Sequence, residues 1–306
     1  MTPSAVQWLP SSAHFGPLLA ESLGIPGHAI ELHRFPDEEL RVTVGPAATT
    51  TIVCCSLDRP NEKLIALLLV AEALRRNGAT RLVLVAPYLA YMRQDAAFHP
   101  GEAVSQRAIG TLLANNFDRI ITFDAHLHRT SSLGEVFPGA EADNLSAASA
   151  IEALLRADPV SPSTVAVGPD EESRSWIADI AGRLGLAYCI ARKLRKTDQS
   201  VQITLPDPSL FVERPVLLVD DIVSSGGTLT ACANALTAAG AASIQAIVVH
   251  ALFPPSLMPI FGRDGIQSIR STDSVQHPTN AISLNNLLAH ALRNELGRRP
   301  LNRSQT

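Results

Sequence analysis

The sequence has few charges and no excess of basic residues. Only 18% of its 306 residues are Asp, Glu, Lys or Arg, whereas about 25% is usual in globular proteins. The net charge is −4, and surfaces that bind nucleic acids or anionic membranes are usually strongly basic. We therefore predict a protein that has neither a nucleic-acid partner nor a membrane partner.

The sequence also lacks cysteine motifs and long apolar runs. Its four cysteines form no Cys-x-x-Cys motif, which predicts free thiols in a reducing compartment. The N-terminus shows no basic stretch followed by an apolar run, and the longest apolar run, Leu64–Ala71, is too short to span a bilayer. We therefore expect a soluble, cytoplasmic protein.

Short apolar segments alternate with helical patterns along the chain. The predicted strands are Thr51–Cys55, Arg81–Ala86, Arg119–Phe123, Thr164–Gly168, Ala187–Ala191, Val216–Val219, Ile244–Val249 and Ile266–Arg270. The predicted helices are Lys63–Asn77, Val104–Asn116, Ser173–Leu184, Thr228–Ala239 and Ser283–Leu296. Most strands are apolar on both faces, which is typical of parallel sheets. The alternation predicts an α/β fold.

This pattern of strands occurs twice. Each half has two strands around a helix, then a long loop, then a third strand followed by acidic residues, which are Asp124 in the first half and Asp220 and Asp221 in the second. The repeat predicts two similar domains with doubly wound parallel sheets, residues 1–145 and 146–306. The last helix is a candidate to pack back on the first domain.

The segment Val216–Leu229 carries the most informative motif. An apolar strand leads to the acidic pair, Asp220 and Asp221, and a small polar loop follows before a helix predicted from residue 228. We call this loop the phosphate loop; its residues are Ser224, Ser225, Gly226, Gly227 and Thr228.

Backbone amides, hydroxyls and a helix N-terminus suit the phosphate loop to an anion. The two carboxylates would repel a phosphate and are better suited to accept hydrogen bonds from sugar hydroxyls. A phosphate beside a vicinal diol indicates a ribose phosphate. The alternative is a plain strand–turn–helix corner, with Ser225 or Thr228 capping the helix.

The same segment resembles the phosphoribosyl pyrophosphate loop of type I phosphoribosyltransferases and phosphoribosyl pyrophosphate synthetases. The resemblance implies doubly wound α/β domains of the type I phosphoribosyltransferase kind. It also implies that the acidic pair binds ribose hydroxyls and that the phosphate loop binds the 5-phosphate. Ser224 stands where bacterial members often have Asp.

From about residue 33 to 290 the chain resembles the synthetases in particular. The stretch Arg34-Phe-Pro-Asp-Glu-Glu39 is similar to their Phe-Pro-Asp-Gly-Glu loop, with Glu38 in place of Gly. This similarity implies that Phe35, Asp37 and Glu39 contact ATP, and that the loop reaches into a neighbouring subunit.

A second stretch, Tyr91-Met-Arg-Gln-Asp95, is similar to the Tyr-x-Arg-Gln-Asp motif of the synthetases. It implies ATP contacts from Arg93, Gln94 and Asp95, and a guanidinium suits phosphate oxygens. Ala96 replaces the basic residue that usually follows.

Two further stretches imply magnesium. Ile121-Thr-Phe-Asp-Ala-His126 resembles the Asp-Leu-His segment, whose His helps hold magnesium–ATP, and Asp170 lies in a match to the Pro-Asp-x-Gly segment. Glu172 replaces the Gly of that segment. By chemistry alone magnesium prefers oxygen ligands, and His126 with His128 leaves a zinc site as an alternative.

The basic stretch Ala191-Arg-Lys-Leu-Arg-Lys196 resembles the catalytic loop of the synthetases. The resemblance implies that Lys193 and Arg195 act in catalysis, because two cations on a mobile loop can stabilise charge that builds up on phosphate oxygens. The alternative is a solvated basic loop.

Together these stretches imply a ribose-phosphate diphosphokinase. Such an enzyme transfers pyrophosphate from ATP to the 1-hydroxyl of ribose 5-phosphate, uses Mg²⁺, and would form a homo-oligomer built from dimers. Two alternatives stay open: a nucleobase phosphoribosyltransferase, and a non-catalytic regulatory relative of the synthetase.

Overall fold

The computed structural model describes residues 3–127, 129–197 and 200–296, without the side chains of residue 175 and residues 193–202. These residues form two compact units. The first contains the described chain up to Leu145, Ser274–Gln276 and the described chain from Leu284. The second contains Ser146–Asp273 and His277–Ser283.

The first unit begins with eight strands and four helices. In chain order they are β1 (Ser4–Trp8), α1 (Gly16–Leu23), β2 (Gly27–Ala29), β3 (Glu31–Arg34), β4 (Leu40–Thr43), β5 (Thr50–Cys54), α2 (Pro60–Arg76), β6 (Arg81–Val85), α3 (Ser105–Ala114), β7 (Arg119–Phe123), α4 (Leu133–Val136) and β8 (Glu141–Leu145).

Six of these strands form a parallel sheet in the order β2-β1-β5-β6-β7-β8. The interiors of β5, β6 and β7 are fully buried, because their side chains are apolar on both faces and α2 and α3 help to cover the sheet. The remaining strands, β3 and β4, form a separate antiparallel hairpin, and β4 packs on α2.

The second unit contains the other eight strands and four helices. They are α5 (Ala148–Ala157), β9 (Val165–Gly168), α6 (Arg174–Leu184), β10 (Ala187–Ile190), β11 (Arg192–Thr197), β12 (Ser200–Thr204), β13 (Pro215–Val223), α7 (Gly227–Ala238), β14 (Ser243–Ala251), α8 (Met258–Arg263), β15 (Ile266–Thr272) and β16 (Asn280–Ile282).

Its main sheet is also parallel, in the order β10-β9-β13-β14-β15-β16, while β11 and β12 form a separate antiparallel ribbon. All eight strands predicted from the apolar segments are present, with ends shifted by up to four residues. The predicted α/β fold class with two doubly wound parallel sheets is confirmed. In the described part of the chain, every helix is too short or too polar to cross a membrane.

The last α-helix of the described residues, α9 (Asn285–Leu292), belongs to the first unit and packs on α1. The described residues also form short 3₁₀ helices, which are Pro10–Ser12, Glu171–Ser173, Pro208–Phe211, Pro255–Leu257 and Arg293–Glu295. The last of these carries Glu295, whose carboxylate is fully buried among arginines of the first sheet.

Candidate functional site

The candidate site of the second unit lies at the carboxyl ends of three adjacent strands. Strand β9 leads into the segment of Asp170, β10 leads into the ribbon β11–β12, and β13 leads into the phosphate loop. Because these strands are parallel neighbours, their carboxyl ends share one edge of the sheet. Ligands of open α/β sheets bind at this edge.

The acidic pair lies within β13, and not just past the strand end that the sequence predicted at Val219. The strand continues to Val223 because its backbone ladder with β14 extends past the two carboxylates. Asp220 is only 8% exposed, and the half-buried Asp221 accepts a hydrogen bond from the backbone N–H of Ile222 at 2.7 Å. The pair is therefore held on a regular strand.

The phosphate loop depends on one glycine for its shape. Gly226 has φ +77°, in the left-handed region, and its carbonyl accepts the N–H of Thr230 at 2.9 Å. A Cβ at Gly226 would lie 2.5 Å from the Phe261 ring, so the position excludes other residues sterically as well. Helix α7 begins at Gly227, one residue before the predicted start.

The loop presents donors to an anion. The first amides of α7 have no intrahelical partner, as at the start of any α-helix, and among the described residues no side chain caps them. Ser224 and Ser225 are exposed and Thr228 is half-buried. A Cβ at Gly227 would meet nothing closer than 3.9 Å, which leaves open space beside the backbone. This arrangement can bind a phosphate group.

The predicted catalytic loop is a strand of an antiparallel ribbon. Lys193 lies opposite Ile203 and Arg195 opposite Val201. The sequence predicts a loop here, because a basic stretch without apolar alternation is not typical of a strand. The side chains of Lys193 and Arg195 lie outside the described residues, so their roles stay predictions.

Asp170 lies two residues past the end of β9 with an extended backbone, directly before the 3₁₀ helix. It is half-buried, and its carbonyl accepts the Ser173 hydroxyl at 2.6 Å. The neighbouring Glu171 pairs with the guanidinium of Arg174, and this hydrogen bond lowers the pKa of the Glu171 carboxyl. Glu171 therefore supports the helix start.

The first unit carries the predicted ATP residues in two places. One is the hairpin loop between β3 and β4, which closes through a hydrogen bond from Phe35 N–H to the Glu39 carbonyl at 2.9 Å. The Asp37 carboxylate accepts the Glu39 N–H at 3.3 Å. Phe35 is 38% exposed, makes a T-shaped contact with the ring of His33, and has the Arg41 guanidinium 5.9 Å from its ring centre. The tip of the hairpin therefore presents a partly exposed aromatic ring.

The other place is a pair of loops after the adjacent strands β6 and β7. The first loop carries an exposed Arg93, a half-buried Gln94 that bonds Glu102, and Asp95. The second carries a half-buried His126. Because β6 and β7 are parallel neighbours, both loops start at the same edge of the sheet.

Comparison with protein-family models matches both halves of the chain. Residues 7–116 match the N-terminal domain of ribose phosphate pyrophosphokinase. Residues 146–258 match the phosphoribosyl transferase domain. The ribose-phosphate pyrophosphokinase of Methanopyrus kandleri is 35% identical over 285 residues, which cover 92% of this chain and 96% of that protein. This chain belongs to the ribose-phosphate pyrophosphokinase family.

Other relatives agree with this assignment. The ribose-phosphate pyrophosphokinase of Thermococcus kodakarensis is 32% identical and covers 83% of this chain and 89% of its own length. The crystal structure of phosphoribosylpyrophosphate synthetase from Mycobacterium smegmatis superposes with a TM-score of 0.80 at 20% identity, over 95% of this chain and 98% of that chain. At that identity the superposition supports the fold.

Two departures from the family motifs differ in their backbone. Glu38, which replaces a glycine, has φ +71° and therefore adopts the left-handed conformation that favours glycine. Glu172, which also replaces a glycine, lies in the 3₁₀ helix and does not have a positive φ. The pyrophosphokinase hairpin thus keeps a glycine-like turn at the cost of local strain.

We expect Glu38→Gly to stabilise the first unit by about 0.5–1 kcal/mol. The left-handed conformation costs a residue with a Cβ roughly 1–2 kcal/mol, and the greater freedom of glycine in the unfolded chain offsets part of this. Urea unfolding followed by circular dichroism would measure the change. Glu39→Gly is the matched control and should lower the free energy of unfolding. Equal losses of stability in both variants would contradict the strain assigned to Glu38.

The candidate metal-binding residues fit magnesium only in part. In residues 3–127, 129–197 and 200–296, no three His, Cys, Asp or Glu side chains form a metal-binding group. Magnesium usually takes one or two carboxylates and completes its shell with waters and substrate phosphates, so the half-buried Asp170 fits it. The imidazole of His126 fits this preference less well, and His128 lies outside the described residues.

Sequence reasoning missed Arg129 and Gln106. Arg129 binds the carboxylate of Asp95, and the buried amide of Gln106 bonds both Met92 and Thr130. These contacts join the two loops of the first unit. No sequence motif marks them, because the partners are 14 to 34 residues apart and lie on separate segments of the chain.

Proposed function

We propose that this pyrophosphokinase-family chain transfers the β,γ-pyrophosphoryl group of ATP to the 1-hydroxyl of ribose 5-phosphate. The products would be phosphoribosyl pyrophosphate and AMP. The observation that carries the proposal is strand β13, which holds two carboxylates directly before a glycine-shaped loop at a helix N-terminus. That arrangement suits a sugar diol beside a phosphate.

In the second unit, Asp220 and Asp221 would accept hydrogen bonds from the ribose 2- and 3-hydroxyls. Ser224, Ser225 and Thr228 and the backbone of Gly226 and Gly227 would hold the 5-phosphate. The buried position of Asp220 supports this role, because a carboxylate of fixed orientation aligns the sugar. The 1-hydroxyl would then be presented to ATP without a side-chain nucleophile.

In the first unit, Phe35 would stack on adenine, and Asp37 and Glu39 would bond its polar edge. Arg93 and Gln94 would bind the ATP phosphates. The exposed aromatic tip of the hairpin supports the first assignment. The second is supported by Arg93, whose exposed guanidinium has no hydrogen bond or ion pair with any described residue.

Charge stabilisation would supply most of the catalysis, as in other phosphoryl transfers. Lys193 and Arg195 would neutralise charge on the transferred group and on the departing AMP. His126 is proposed to help hold a magnesium–ATP unit in the first unit, and Asp170 is proposed to hold another magnesium ion in the second. Bound magnesium would lower the repulsion between the phosphates and the attacking oxygen.

The test of the function is AMP formation from ATP and ribose 5-phosphate, with magnesium and with a chelator. We expect AMP and phosphoribosyl pyrophosphate in equal amounts, and only with magnesium. A nucleobase phosphoribosyltransferase would instead consume phosphoribosyl pyrophosphate when a base is added. A non-catalytic relative would form no AMP under either condition.

We expect Asp220→Asn combined with Asp221→Asn to weaken ribose 5-phosphate binding by roughly 10-fold or more. Hydrogen bonds to charged groups are worth about 1.5–3 kcal/mol each. Separate isothermal titrations with ribose 5-phosphate and ATP would measure the effect, and ATP affinity should stay unchanged. Asp179→Asn, a change on α6 of the same unit, is the control. A collapse of ATP affinity instead would show that the two subsites are interchanged.

The homo-oligomer built from dimers stays a prediction. It is supported by an exposed apolar face on α2 beside the β3–β4 hairpin, where Ile65 is 53% and Leu69 38% exposed. The cytoplasmic location and the assignment of residues 1–145 to ATP and 146–306 to ribose 5-phosphate also stay predictions.

A further inference from the structure

The two loops of the first unit are joined by a charged pair. The Asp95 carboxylate accepts two hydrogen bonds from Arg129. Its Oδ1 accepts one from the guanidinium at 2.8 Å, and its Oδ2 accepts one from the backbone N–H at 3.1 Å. The Asp95 side chain is only 3% exposed, whereas that of Arg129 is 61% exposed. Both oxygens of the Asp95 carboxylate therefore accept hydrogen bonds from the loop that carries Arg129.

A second bridge lies beside the first. The side chain of Gln106, a buried residue on α3, donates to the Met92 carbonyl at 3.4 Å and accepts the Thr130 hydroxyl at 2.9 Å. Each bridge starts in the segment that carries Arg93 and ends next to the segment that carries His126. The two loops are thus fixed to each other at two points.

The Arg129 guanidinium also covers an aromatic ring. Its central carbon lies 5.1 Å from the centre of the Phe98 ring, within the range of a cation–π contact. The Phe98 N–H and the His99 N–H both donate to the Glu102 carboxylate, at 2.9 and 3.2 Å. The loop after Asp95 is therefore folded on itself as well as tied to Arg129.

These contacts argue against a direct bond between Asp95 and ATP. With only 3% of its side chain exposed, the Asp95 carboxylate is hardly accessible to a ligand, and its charge would repel a triphosphate. The neighbours of Asp95 are in a different position, since Arg93 is exposed and extends from the same tied segment. What Asp95 supplies is the position of that segment.

We propose that Asp95 and Arg129 are a pair of positioning residues that sets the spacing between the Arg93–Gln94 segment and the His126 segment. The pair acts on ATP through these neighbours and does not touch it. This inference rests on the proposed function, because it takes ATP as the ligand of the two segments. It replaces the ATP contact of Asp95 that the family resemblance implied.

The test compares Asp95→Asn, Arg129→Ala, the double variant and Arg129→Lys in the full chain. Isothermal titration with ATP and, separately, with ribose 5-phosphate gives the binding effects, and AMP formation gives kcat and both KM values. Arg76→Ala is the matched control, because Arg76 lies in the same unit, is 67% exposed and forms an ion pair with Glu72.

We expect each single variant to weaken ATP binding by about 10- to 100-fold, the range that misplacement of binding groups produces. The double variant should lose no more than the worse single variant, because both changes break one interaction. Arg129→Lys should recover part of the loss. Ribose 5-phosphate affinity and the KM for ribose 5-phosphate should stay unchanged in all variants, and Arg76→Ala should match the wild type.

Additive losses in the double variant would overturn the inference, since they would mean that each residue meets ATP by itself. A loss in only one of the two single variants would identify that residue as a direct ligand. Equal losses of ATP and ribose 5-phosphate affinity, or no loss, would also overturn it. A wild type that binds ATP but forms no AMP would overturn the proposed reaction alone, whereas one that binds no ATP would overturn both.

Discussion

Glu295→Ala should lower the free energy of unfolding of the first unit by about 3–5 kcal/mol. This is the usual cost of removing one partner from a buried ion pair, because the remaining charge is left without compensation. Here two guanidinium groups would remain, and their only other carboxylate partners among the described residues are the more exposed side chains of Glu141 and Asp143. Urea unfolding followed by circular dichroism would measure the loss.

The size of this effect follows from the contacts of Glu295. Its carboxylate is fully buried and binds Arg81 through two nitrogens at 2.7 and 2.9 Å, and Arg119 at 2.9 Å. The side chains of Arg81 and Arg119 are only 13% and 11% exposed. Arg119 also donates to the Ala291 carbonyl, so the network ties α9 to the sheet.

Glu141→Ala is the matched control, because Glu141 pairs with the same Arg81 but is 46% exposed. An exposed pair is worth about 0–1 kcal/mol, so this variant should stay close to the wild type. Similar losses in the two variants would contradict the prediction, as would a loss below about 1 kcal/mol for Glu295→Ala.

The pH dependence of the free energy of unfolding provides a second test of the Glu295 network. Burial by itself would raise the pKa of Glu295, but the hydrogen bonds and charges of Arg81 and Arg119 outweigh it and hold the pKa below its usual value. The stabilisation is therefore present above the unfolded-state pKa, about 4.3, and is lost as the pH falls through the folded-state pKa. The difference between wild type and Glu295→Ala should narrow in acid.

Much of the fold could be predicted because its central strands are apolar on both faces. The strand Ser4–Trp8 was missed because Gln7 interrupts its apolar pattern. Gln7 is nevertheless fully buried, since its amide bonds the backbone of Gly45 at 2.9 Å. The sequence did not predict that β13 continues past Asp220, for a related reason. Asp220 and Asp221 have polar side chains, which do not indicate a buried strand, but the backbone of this segment still pairs with β14.

In the candidate site, too, some features could be predicted from the sequence and others could not. A local motif contains Gly226, so its special conformation could be expected from the sequence. The tie between Asp95 and Arg129 could not, because it joins loops that only the adjacency of β6 and β7 brings together. Glu38 is a third case, in which a glutamate keeps a left-handed turn that the sequence alone would assign to glycine.

Lys193→Ala should reduce kcat by about 100- to 1,000-fold while both KM values change little. The reason is that a cation acting on charge that develops only in the transition state contributes little to ground-state binding. Steady-state AMP formation at saturating ATP and ribose 5-phosphate would give kcat, and separate titrations of each substrate would give the KM values.

The position of Lys193 allows a close control. Lys196 lies on the same strand, β11, and Lys196→Ala removes the same charge and the same number of side-chain atoms. If the general positive charge of the ribbon mattered, both variants would lose similar activity, and the loss would shrink in high salt because exposed charges are screened. A loss confined to Lys193→Ala, with the substrate affinities retained, would instead place one specific cation at the transferred pyrophosphoryl group. A variant that kept most of its turnover would remove Lys193 from the mechanism.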